Sequence, residues 1–381
     1  MSNRKKVLVC GYYGNHNLGD EALISGMIQL LKSQSKNLDI SVMSSDPEHT
    51  KKIHSVKGVF HNRPFRRRAG YILDTSKRKY FILGGGDLIR DSADSMVCQS
   101  WLKHLSRAIY LRRKTLVLGV SVGDIWRDET KKLIPEVLNQ VDLIAVRDNN
   151  SRLKLEKLGV KKKINIINDL ALFALPEAKE FTLAASKRLK IGISTRSLRG
   201  RGDKSGLTKS HDFQINLARI ADFLVEEYNA ELHFIPFHTY EKDYCRDGDD
   251  YINILETLKY SRFSEKMIVH RYIDSLNDLH QIILSLDLMI GVRLHSLILA
   301  LGLGVPIIGA EYDSKIKDFT EEVGQQYFSI PTEKFTVEEV SQRVKTILSN
   351  QSEVQNKIVE GIKKYRQKSA PFLTSLSSFL E

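Results

Sequence analysis

The segment LDLMIGVRLHSLILAL, residues 286–301, decides the fold and carries the most informative side chains of the chain. Its first five residues are largely apolar and indicate a buried strand, and its last five are apolar and indicate a buried helix. Arg293, His295 and Ser296 therefore lie at a predicted strand-to-helix turn. Backbone N–H groups and the helix dipole at such a turn attract anions.

The side chains at this turn favour proton-coupled chemistry on a small anion. Arg293 adds a fixed, forked positive charge, and the imidazole of His295 can exchange protons near neutral pH. We therefore expect a small phosphate or carboxylate as the ligand. The alternative for His295 is a structural role as a helix-capping residue.

The composition indicates an ordinary globular protein. The 381 residues are enough for two domains, and 42% hydrophobic with 27% charged residues exclude collagen-like, coiled-coil and disordered classes. The formal net charge of +12 indicates either a solubilising surface or attraction to phosphorylated substrates, nucleic acid or anionic lipid. Of these partners we expect no nucleic acid.

A basic cluster at residues 63–68 has two interpretations. It is either a solvated loop or a surface for peripheral contact with an anionic membrane. The short apolar run before Gly11 predicts a first strand and no signal peptide, and no segment is long enough to cross a membrane. The three cysteines have no metal-ligand spacing, so we expect a cytoplasmic protein without a bound metal.

Strand-like runs alternate with helical patterns along the chain, which predicts parallel α/β sheets. We expect two Rossmann-like, doubly wound domains that face each other across a cleft. The boundaries are residues 1–175 for the first domain and 188–355 for the second, with a helical segment at 356–381 that packs back. The final strand is expected at residues 305–308. Ligands of such sheets bind at the carboxyl ends of the strands.

Two glycine-containing loops follow strands of the first half. The loop at residues 11–23 contains Asn17, Asp20 and Glu21. Asp20 is either a helix N-cap or, with Glu21, a carboxylate that holds a sugar hydroxyl or takes its proton. Three glycines at positions 84–86 are not expected inside a strand. They predict a tight turn, or a backbone that a ligand or another loop approaches closely, with Gly85 and Gly86 as candidate ligand contacts.

Four more polar residues follow predicted strands: Arg147, Arg196, His238 and Lys315. Three of them have an alternative interpretation without a ligand. Arg147 could form a structural ion pair, His238 could be a structural histidine, and Lys315 could point into water. Together with the glycine-rich turns, these residues predict an anion-processing site in the cleft.

Six segments carry a resemblance to a known family. They are GYYGNHNLGDEAL (11–23), GGGDL (84–88), VRDNNS (146–151), NDLA (168–171), GVRLHS (291–296) and EYDSK (311–315). In this order the chain resembles the polysaccharide pyruvyltransferase family, and most of all its bacterial cell-wall branch. The resemblance implies a glycosyltransferase-B-like pair of Rossmann-type domains.

The resemblance also implies a reaction. An enolpyruvyl unit passes from phosphoenolpyruvate to a sugar of a cell-wall or extracellular polysaccharide precursor, a cyclic ketal closes, and phosphate is released. Phosphoenolpyruvate is a substrate, and no cofactor is expected. Arg293 and His295 match the family residues that handle phosphoenolpyruvate, and Arg147 and Arg196 match two further arginines. The family has an aromatic residue shortly after the last of these, where this chain reads Ser197-Leu198-Arg199.

A mechanism follows as a hypothesis. Phosphoenolpyruvate carries about three negative charges, so two or more arginines are needed. Arg293 would grip the phosphate or carboxylate with the backbone N–H of Leu294 or His295, beside Ser296. A neutral His295, favoured by the helix N-terminus, would accept the proton of the attacking hydroxyl. Asp20 and Glu21 would work on the acceptor side.

Two other functions stay open. A nucleotide-sugar-dependent glycosyltransferase would share the architecture and use a different donor. A non-catalytic module for phosphorylated glycans would bind its ligand without turnover. The expected partners are phosphoenolpyruvate and a glycan acceptor, either free or lipid-linked. The basic cluster at residues 63–68 would bring the protein to the inner face of the plasma membrane.

Overall fold

The computed structural model describes residues 4–60, 74–92, 96–176, 188–198, 206–239 and 248–381. The chain divides into two compact units, Met1–Ala174 with Arg366–Glu381, and Leu175–Tyr365. The first unit therefore contains both ends of this sequence. The segment 356–381, expected as one helical piece, is divided between the units at residue 366.

The first unit is built on a parallel sheet with the strand order β3-β2-β1-β4-β5-β6-β7. Val7, Leu8, Val9 and Cys10 of the first strand are all fully buried, as expected for a sheet that is covered on both faces. The strands are β1 (Lys5–Cys10), β2 (Leu38–Ser44), β3 (Lys57–Phe60), β4 (Tyr80–Ile89), β5 (Lys114–Val122), β6 (Leu143–Val146) and β7 (Ile164–Ile166).

The following α-helices each connect two consecutive strands of this unit, as in other doubly wound sheets. They are α1 (Leu18–Gln34), α2 (Pro47–His54), α3 (Val97–Tyr110), α4 (Asp128–Leu138) and α5 (Asn149–Lys157), with a short 3-10 helix at Leu170–Ala174.

The second unit has a parallel sheet with the strand order β10-β9-β8-β11-β12-β13. Its strands are β8 (Lys190–Ser194), β9 (Glu231–Phe234), β10 (Ile268–Val269), β11 (Leu288–Gly291), β12 (Ile307–Glu311) and β13 (Ser329–Pro331). Its helices are α6 (Gly206–Tyr228), α7 (Asp250–Leu258), α8 (Leu276–Leu284), α9 (Leu294–Gly302), α10 (Ser314–Glu322), α11 (Val337–Ser349) and α12 (Gln351–Gln367). The two parallel sheets confirm the predicted α/β class.

The last helix, α13 (Ala370–Leu380), packs on the first unit. Leu376 is fully buried, the hydroxyl of Tyr80 donates to the Leu380 carbonyl at 2.9 Å, and the Lys5 ammonium donates to the same carbonyl at 2.8 Å. The contact joins the helix to the amino ends of β1 and β4, away from the carboxyl ends where ligands bind.

The expectation that the three glycines lie outside a strand is wrong, but the expected close approach by another loop is present, because a Cβ on Gly85 would lie 2.8 Å from the Tyr13 hydroxyl. Gly84, Gly85 and Gly86 lie inside β4, which continues to Ile89 and stays paired with β5, with a register shift between Gly86 and Ile89. Gly85 and Gly86 have φ values of +72° and +81°, a left-handed conformation that glycine adopts without steric cost. The strand therefore continues through an irregularity that residues with a Cβ would not tolerate.

Short elements are the ones that the sequence pattern missed. Helices α2 and α10 and strands β3 and β13 were not predicted. The expected final strand at residues 305–308 was also misplaced, because β12 begins at Ile307 and β13 follows it. A three-residue strand such as β13 is too short to show an alternating pattern. In the part of the chain that is described, no helix is both long and apolar enough to cross a membrane.

The packing of α1 against the 3-10 helix Leu170–Ala174 depends on Gly26. A Cβ at this position would lie 1.7 Å from the carbonyl oxygen of Leu170. We expect Gly26→Ala to destabilise the protein by about 1–3 kcal/mol through this clash, although alanine in an open helix would stabilise it by about 1 kcal/mol. Thermal unfolding followed by circular dichroism shows whether the substitution raises or lowers the stability of the protein.

The matched control is Ser25→Ala, a partly exposed position on the same helix. It should change the free energy of unfolding by less than about 0.5 kcal/mol. A higher melting temperature for Gly26→Ala would show that the helix does not depend on this close approach.

Candidate active site

Four neighbouring strands of the second unit carry the predicted polar residues at one edge of the sheet. Strands β9, β8, β11 and β12 are adjacent and parallel. The segments after their carboxyl ends contain, in that order, His238, Arg196, the pair Arg293 and His295, and Lys315. The structure thus brings these residues to the edge at which α/β sheets bind ligands.

The turn between β11 and α9 is fastened to β8. Arg293 is the N-cap residue of α9, and the hydroxyl of Ser296 donates to the Arg293 carbonyl at 2.6 Å. The hydroxyls of Ser194 and Ser296 are 2.7 Å apart, and Ser296 is fully buried. Ser296 therefore stabilises the turn by hydrogen bonds to Arg293 and Ser194. Leu294 and His295 form the first turn of α9 and stay partly exposed.

The guanidinium of Arg293 is bound by a residue that the sequence analysis missed. Its Nε donates to Asp250 Oδ2 at 2.9 Å, and its Nη2 donates to Asp250 Oδ1. Asp250 begins α7, is fully buried, and also accepts from the backbone N–H groups of Phe237 and His238, each at 3.0 Å. The carboxylate holds Arg293 in one orientation and neutralises its charge.

Arg196 has a different environment. Its Nη1 donates to the hydroxyl of Tyr312 at 2.9 Å, and its guanidinium carbon lies 4.6 Å from the centre of the Tyr312 ring. Among the described residues no carboxylate lies within ion-pair distance of Arg196. Its charge is therefore uncompensated by that part of the chain, unlike the charge of Arg293. Tyr312 supplies the aromatic contact that the sequence directly after Arg196 lacks.

The other two predicted residues of this edge differ in exposure. His238 is 8% exposed, and its backbone N–H donates to Asp250. Lys315 lies in the first turn of α10, whose N-cap is Asp313, and its ammonium is 3.8 Å from Asp313 Oδ2. The Lys315 side chain is partly exposed, so it adds positive charge near Tyr312.

In the first unit, the loop between β1 and α1 places its two carboxylates differently. Asn17 is the N-cap of α1, and its Oδ1 accepts from the N–H groups of Gly19 at 3.0 Å and Asp20 at 3.4 Å. Asp20 is partly exposed, and its Oδ1 would lie 3.4 Å from a Cβ built on Gly86. The predicted residues Asn17, Asp20 and Gly86 are thus neighbours.

Glu21 is buried and makes structural bonds. It is 2% exposed, its Oε1 accepts from the Gly14 N–H at 3.1 Å, and its Oε2 lies 2.6 Å from His54 Nε2. Because His54 ends α2, this carboxylate joins the loop after β1 to the helix after β2. Asp20, and not Glu21, is the acidic residue of this loop that faces outward.

Tyr13 connects the loop after β1 to the glycine segment of β4. Its hydroxyl donates to the carbonyl of Gly84, and a Cβ on Gly85 would lie 2.8 Å from the same hydroxyl. Burial raises the pKa of Tyr13 well above its ordinary value, and the negative charge of Asp20 adds to this effect. The phenol therefore stays protonated and keeps its bond to the glycine segment of β4.

Two histidines of this unit were not singled out from the sequence. The rings of His16 and His49 are 4.3 Å apart, and His16 Nε2 lies 3.6 Å from Asp46 Oδ2. His16 has a φ of +53°, a left-handed conformation that histidine adopts more readily than most residues. Burial lowers the pKa of His49, which favours its neutral form. A histidine in a glycine-rich loop was the signal for this pair.

The structural alternative describes Arg147. Its side chain is 7% exposed, and its guanidinium lies 3.2 Å from Asp169 Oδ2 and 3.7 Å from Asp148 Oδ2.

Among the residues that the structure describes, no group of three acidic, histidine or cysteine side chains is arranged to hold a metal ion. The basic cluster at residues 63–68 lies outside the described ranges.

The structural role of Glu21 can be tested by mutation. Removing one partner of this buried hydrogen bond leaves the other polar group unpaired, so Glu21→Ala should lower the free energy of unfolding by about 1–3 kcal/mol. His54→Ala should cost a similar amount, and the double variant little more than either, because both remove one interaction. Chemical unfolding measures the cycle, with the exposed Glu48→Ala on α2 as the control. Additive costs would contradict a shared bond.

Comparisons with known proteins identify the family of this chain. The sequence profile of the family described as polysaccharide pyruvyl transferase matches residues 17–314. The amylovoran biosynthesis protein AmsJ of Erwinia amylovora is 21% identical over 407 residues, which cover 95% of this chain and 96% of AmsJ. The profile match includes both the loop with Asn17 and Asp20 and the turn with Arg293 and His295.

Solved structures confirm the glycosyltransferase-B-like fold. MnaA of S. aureus, determined with UDP, has a TM-score of 0.62 and 12% identity over 96% of this chain and 93% of that chain. A glycosyltransferase from Rickettsia africae has a TM-score of 0.60 and 11% identity over 98% of this chain and 99% of that chain. At such low identity these likenesses concern the fold alone. The profile match decides the family: the chain is an enzyme that belongs to the polysaccharide pyruvyl transferase family.

Proposed function

We propose that this enzyme transfers a pyruvyl group from phosphoenolpyruvate to a sugar of a cell-wall or extracellular polysaccharide precursor, forms a cyclic ketal and releases phosphate. The observation that carries the proposal is the pairing of Arg196 with Tyr312 instead of with a carboxylate, at the sheet edge that also contains the turn at Arg293 and His295. An uncompensated guanidinium beside a helix N-terminus favours a multiply charged anion.

The donor is proposed to bind to the second unit. Arg196 and Lys315 supply the positive charge, and the first N–H groups of α9 supply hydrogen bonds at the N-terminal end of the helix dipole. Arg293 is proposed to present the partly exposed edge of its guanidinium to the donor while Asp250 holds its Nε and Nη2 and the Gly248 carbonyl lies 3.5 Å from Nη2. Its fixed orientation favours binding of a planar carboxylate or of two phosphate oxygens.

The chemistry needs proton transfer and no cofactor. A sugar hydroxyl attacks C2 of the enolpyruvyl group while the methylene carbon gains a proton and becomes a methyl group. The C2–O bond to phosphate then breaks, and phosphate leaves with the bonding electron pair, which makes C2 an oxocarbenium centre. A second hydroxyl of the sugar adds to C2 and loses its proton to the departing phosphate, which closes the ketal. We assign to the partly exposed His295 the acceptance of a hydroxyl proton, since it lies in the first turn of α9.

The acceptor is proposed to bind to the first unit. Asp20 and Asp46 offer carboxylate oxygens, and neutral His49 is close to both His16 and Asp46. Hydrogen-bond acceptors of this kind suit the hydroxyl groups of a sugar and repel an anion. A lipid-linked glycan, a cytoplasmic location and peripheral membrane contact through residues 63–68 complete the proposal.

The proposal predicts distinct losses for two residues. Arg196→Ala should weaken phosphoenolpyruvate binding about 10- to 100-fold, because a charged hydrogen bond is lost. His295→Ala should keep phosphoenolpyruvate binding and lose phosphate release in the presence of a glycan acceptor. Thermal shift measures donor binding, phosphate release measures turnover, and mass spectrometry of the glycan detects the ketal.

Arg219→Ala is the control, since Arg219 is an exposed arginine of the same unit on α6. A protein stabilised by nucleotide sugars and indifferent to phosphoenolpyruvate would be a glycosyltransferase. A protein that binds phosphoenolpyruvate but releases no phosphate in the presence of any tested glycan would be a binding module. Full turnover by His295→Ala would remove that residue from the mechanism.

A further inference from the structure

We propose that Asp250 is the positioning residue of the donor site. It sets the orientation of Arg293 and ties it to the segment that contains His238, and it affects phosphoenolpyruvate binding through Arg293 without touching the donor. This inference rests on the proposed function for the identity of the donor. The geometry of the Asp250 contacts is independent of the proposed function.

Four N–H donors converge on this one carboxylate. Oδ2 accepts from Arg293 Nε at 2.9 Å and from the backbone N–H groups of Phe237 and His238 at 3.0 Å each. Oδ1 accepts from Arg293 Nη2. A carboxylate is the side chain that suits this arrangement, because it offers about four lone-pair positions and no donor. An amide of the same shape would direct N–H groups toward N–H donors.

Burial makes the arrangement obligatory. Asp250 is fully buried, and the Arg293 side chain is 15% exposed. A buried carboxylate without a partner is strongly disfavoured, so Asp250 requires Arg293 at this place as much as Arg293 requires Asp250. The pair therefore removes the freedom of a long side chain before the donor arrives. Pre-organisation of this kind increases affinity because less ordering remains to be done on binding.

The bonds to Phe237 and His238 extend the effect to a second strand end. These residues follow β9, whereas Arg293 follows β11, and β8 lies between the two strands. Ser194 at the end of β8 also accepts from the Arg293 N–H at 3.4 Å and pairs with Ser296 at 2.7 Å. Asp250 thus completes a connection across three neighbouring strand ends.

The decisive experiment is a double-mutant cycle on donor affinity. Asp250→Asn in the otherwise unchanged chain should raise the KM for phosphoenolpyruvate about 10- to 100-fold and change kcat only a few-fold. In an Arg293→Ala background the same substitution should change donor affinity less than about twofold, because Asp250 acts through Arg293. Equal effects in both backgrounds would overturn the proposal.

Asp222→Asn is the matched control. Asp222 is a buried aspartate of the same unit that accepts from Arg262 Nε at 3.3 Å, from the Arg262 N–H at 3.0 Å and from the Ser261 hydroxyl at 2.6 Å. Its substitution should lower stability and leave the KM for phosphoenolpyruvate within about twofold of the original value. A rise like that of Asp250→Asn would show that any damage to the unit weakens donor binding.

A second variant covers poor folding of Asp250→Asn. Asp250→Glu keeps the charge and moves it by one methylene group, so it should bind phosphoenolpyruvate more tightly than Asp250→Asn does. Failure of the proposed function is distinguishable, because the same cycle can be measured with inorganic phosphate as the probe. If the original chain releases no phosphate from phosphoenolpyruvate but the phosphate cycle shows coupling, Asp250 keeps its role and the reaction is wrong.

Discussion

The carboxylate of Asp250 holds the polar edge of the second unit together. Without it, the Arg293 guanidinium would lose the two hydrogen bonds that orient it, and the backbone N–H groups of Phe237 and His238 would lose their shared acceptor. Its two oxygens bind donors from both segments. Because the group is fully buried, the cost of leaving those bonds unmade is high, and the arrangement is correspondingly well defined. The geometry of any bound anion depends on this constraint.

The three arginines that match family positions differ in their electrostatic state, and that difference gives each a separate role. Arg147 is paired with Asp169 and Asp148, and Arg293 is paired with Asp250. The positive charge of each of these two arginines is offset by the carboxylates beside it. Arg196 stacks on Tyr312, which leaves its charge intact. Of the three, Arg196 is therefore the arginine suited to long-range attraction of an anion, and the paired Arg293 is suited to directional hydrogen bonds.

The sequence predicted the parts of the structure that have a local cause. The strand, turn and helix at residues 286–301 follow from apolar runs on either side of a polar segment, and the structure confirms them as β11 and α9. Asp250 could not be predicted, because its partner Arg293 is far away in the chain and a pair of aspartates before a helix reads as a cap. Glu21 shows the same limit, since only its contact with His54 shows that it is structural.

The two units present opposite chemistry at the ends of their strands, and this contrast argues for two ligands of different kinds. The loops of the first unit expose carboxylates, with Asp20 and Asp46 partly exposed and a neutral His49 nearby. At the corresponding edge of the second unit, Arg196 and Lys315 are partly exposed beside the N-terminus of α9, with Asp313 paired to Lys315. An anion is attracted by the second set and repelled by the first, whereas a neutral polyol can bond to carboxylates without paying a charge penalty. The reaction proposed above, which joins an anionic donor to a sugar, accounts for both kinds of side chain.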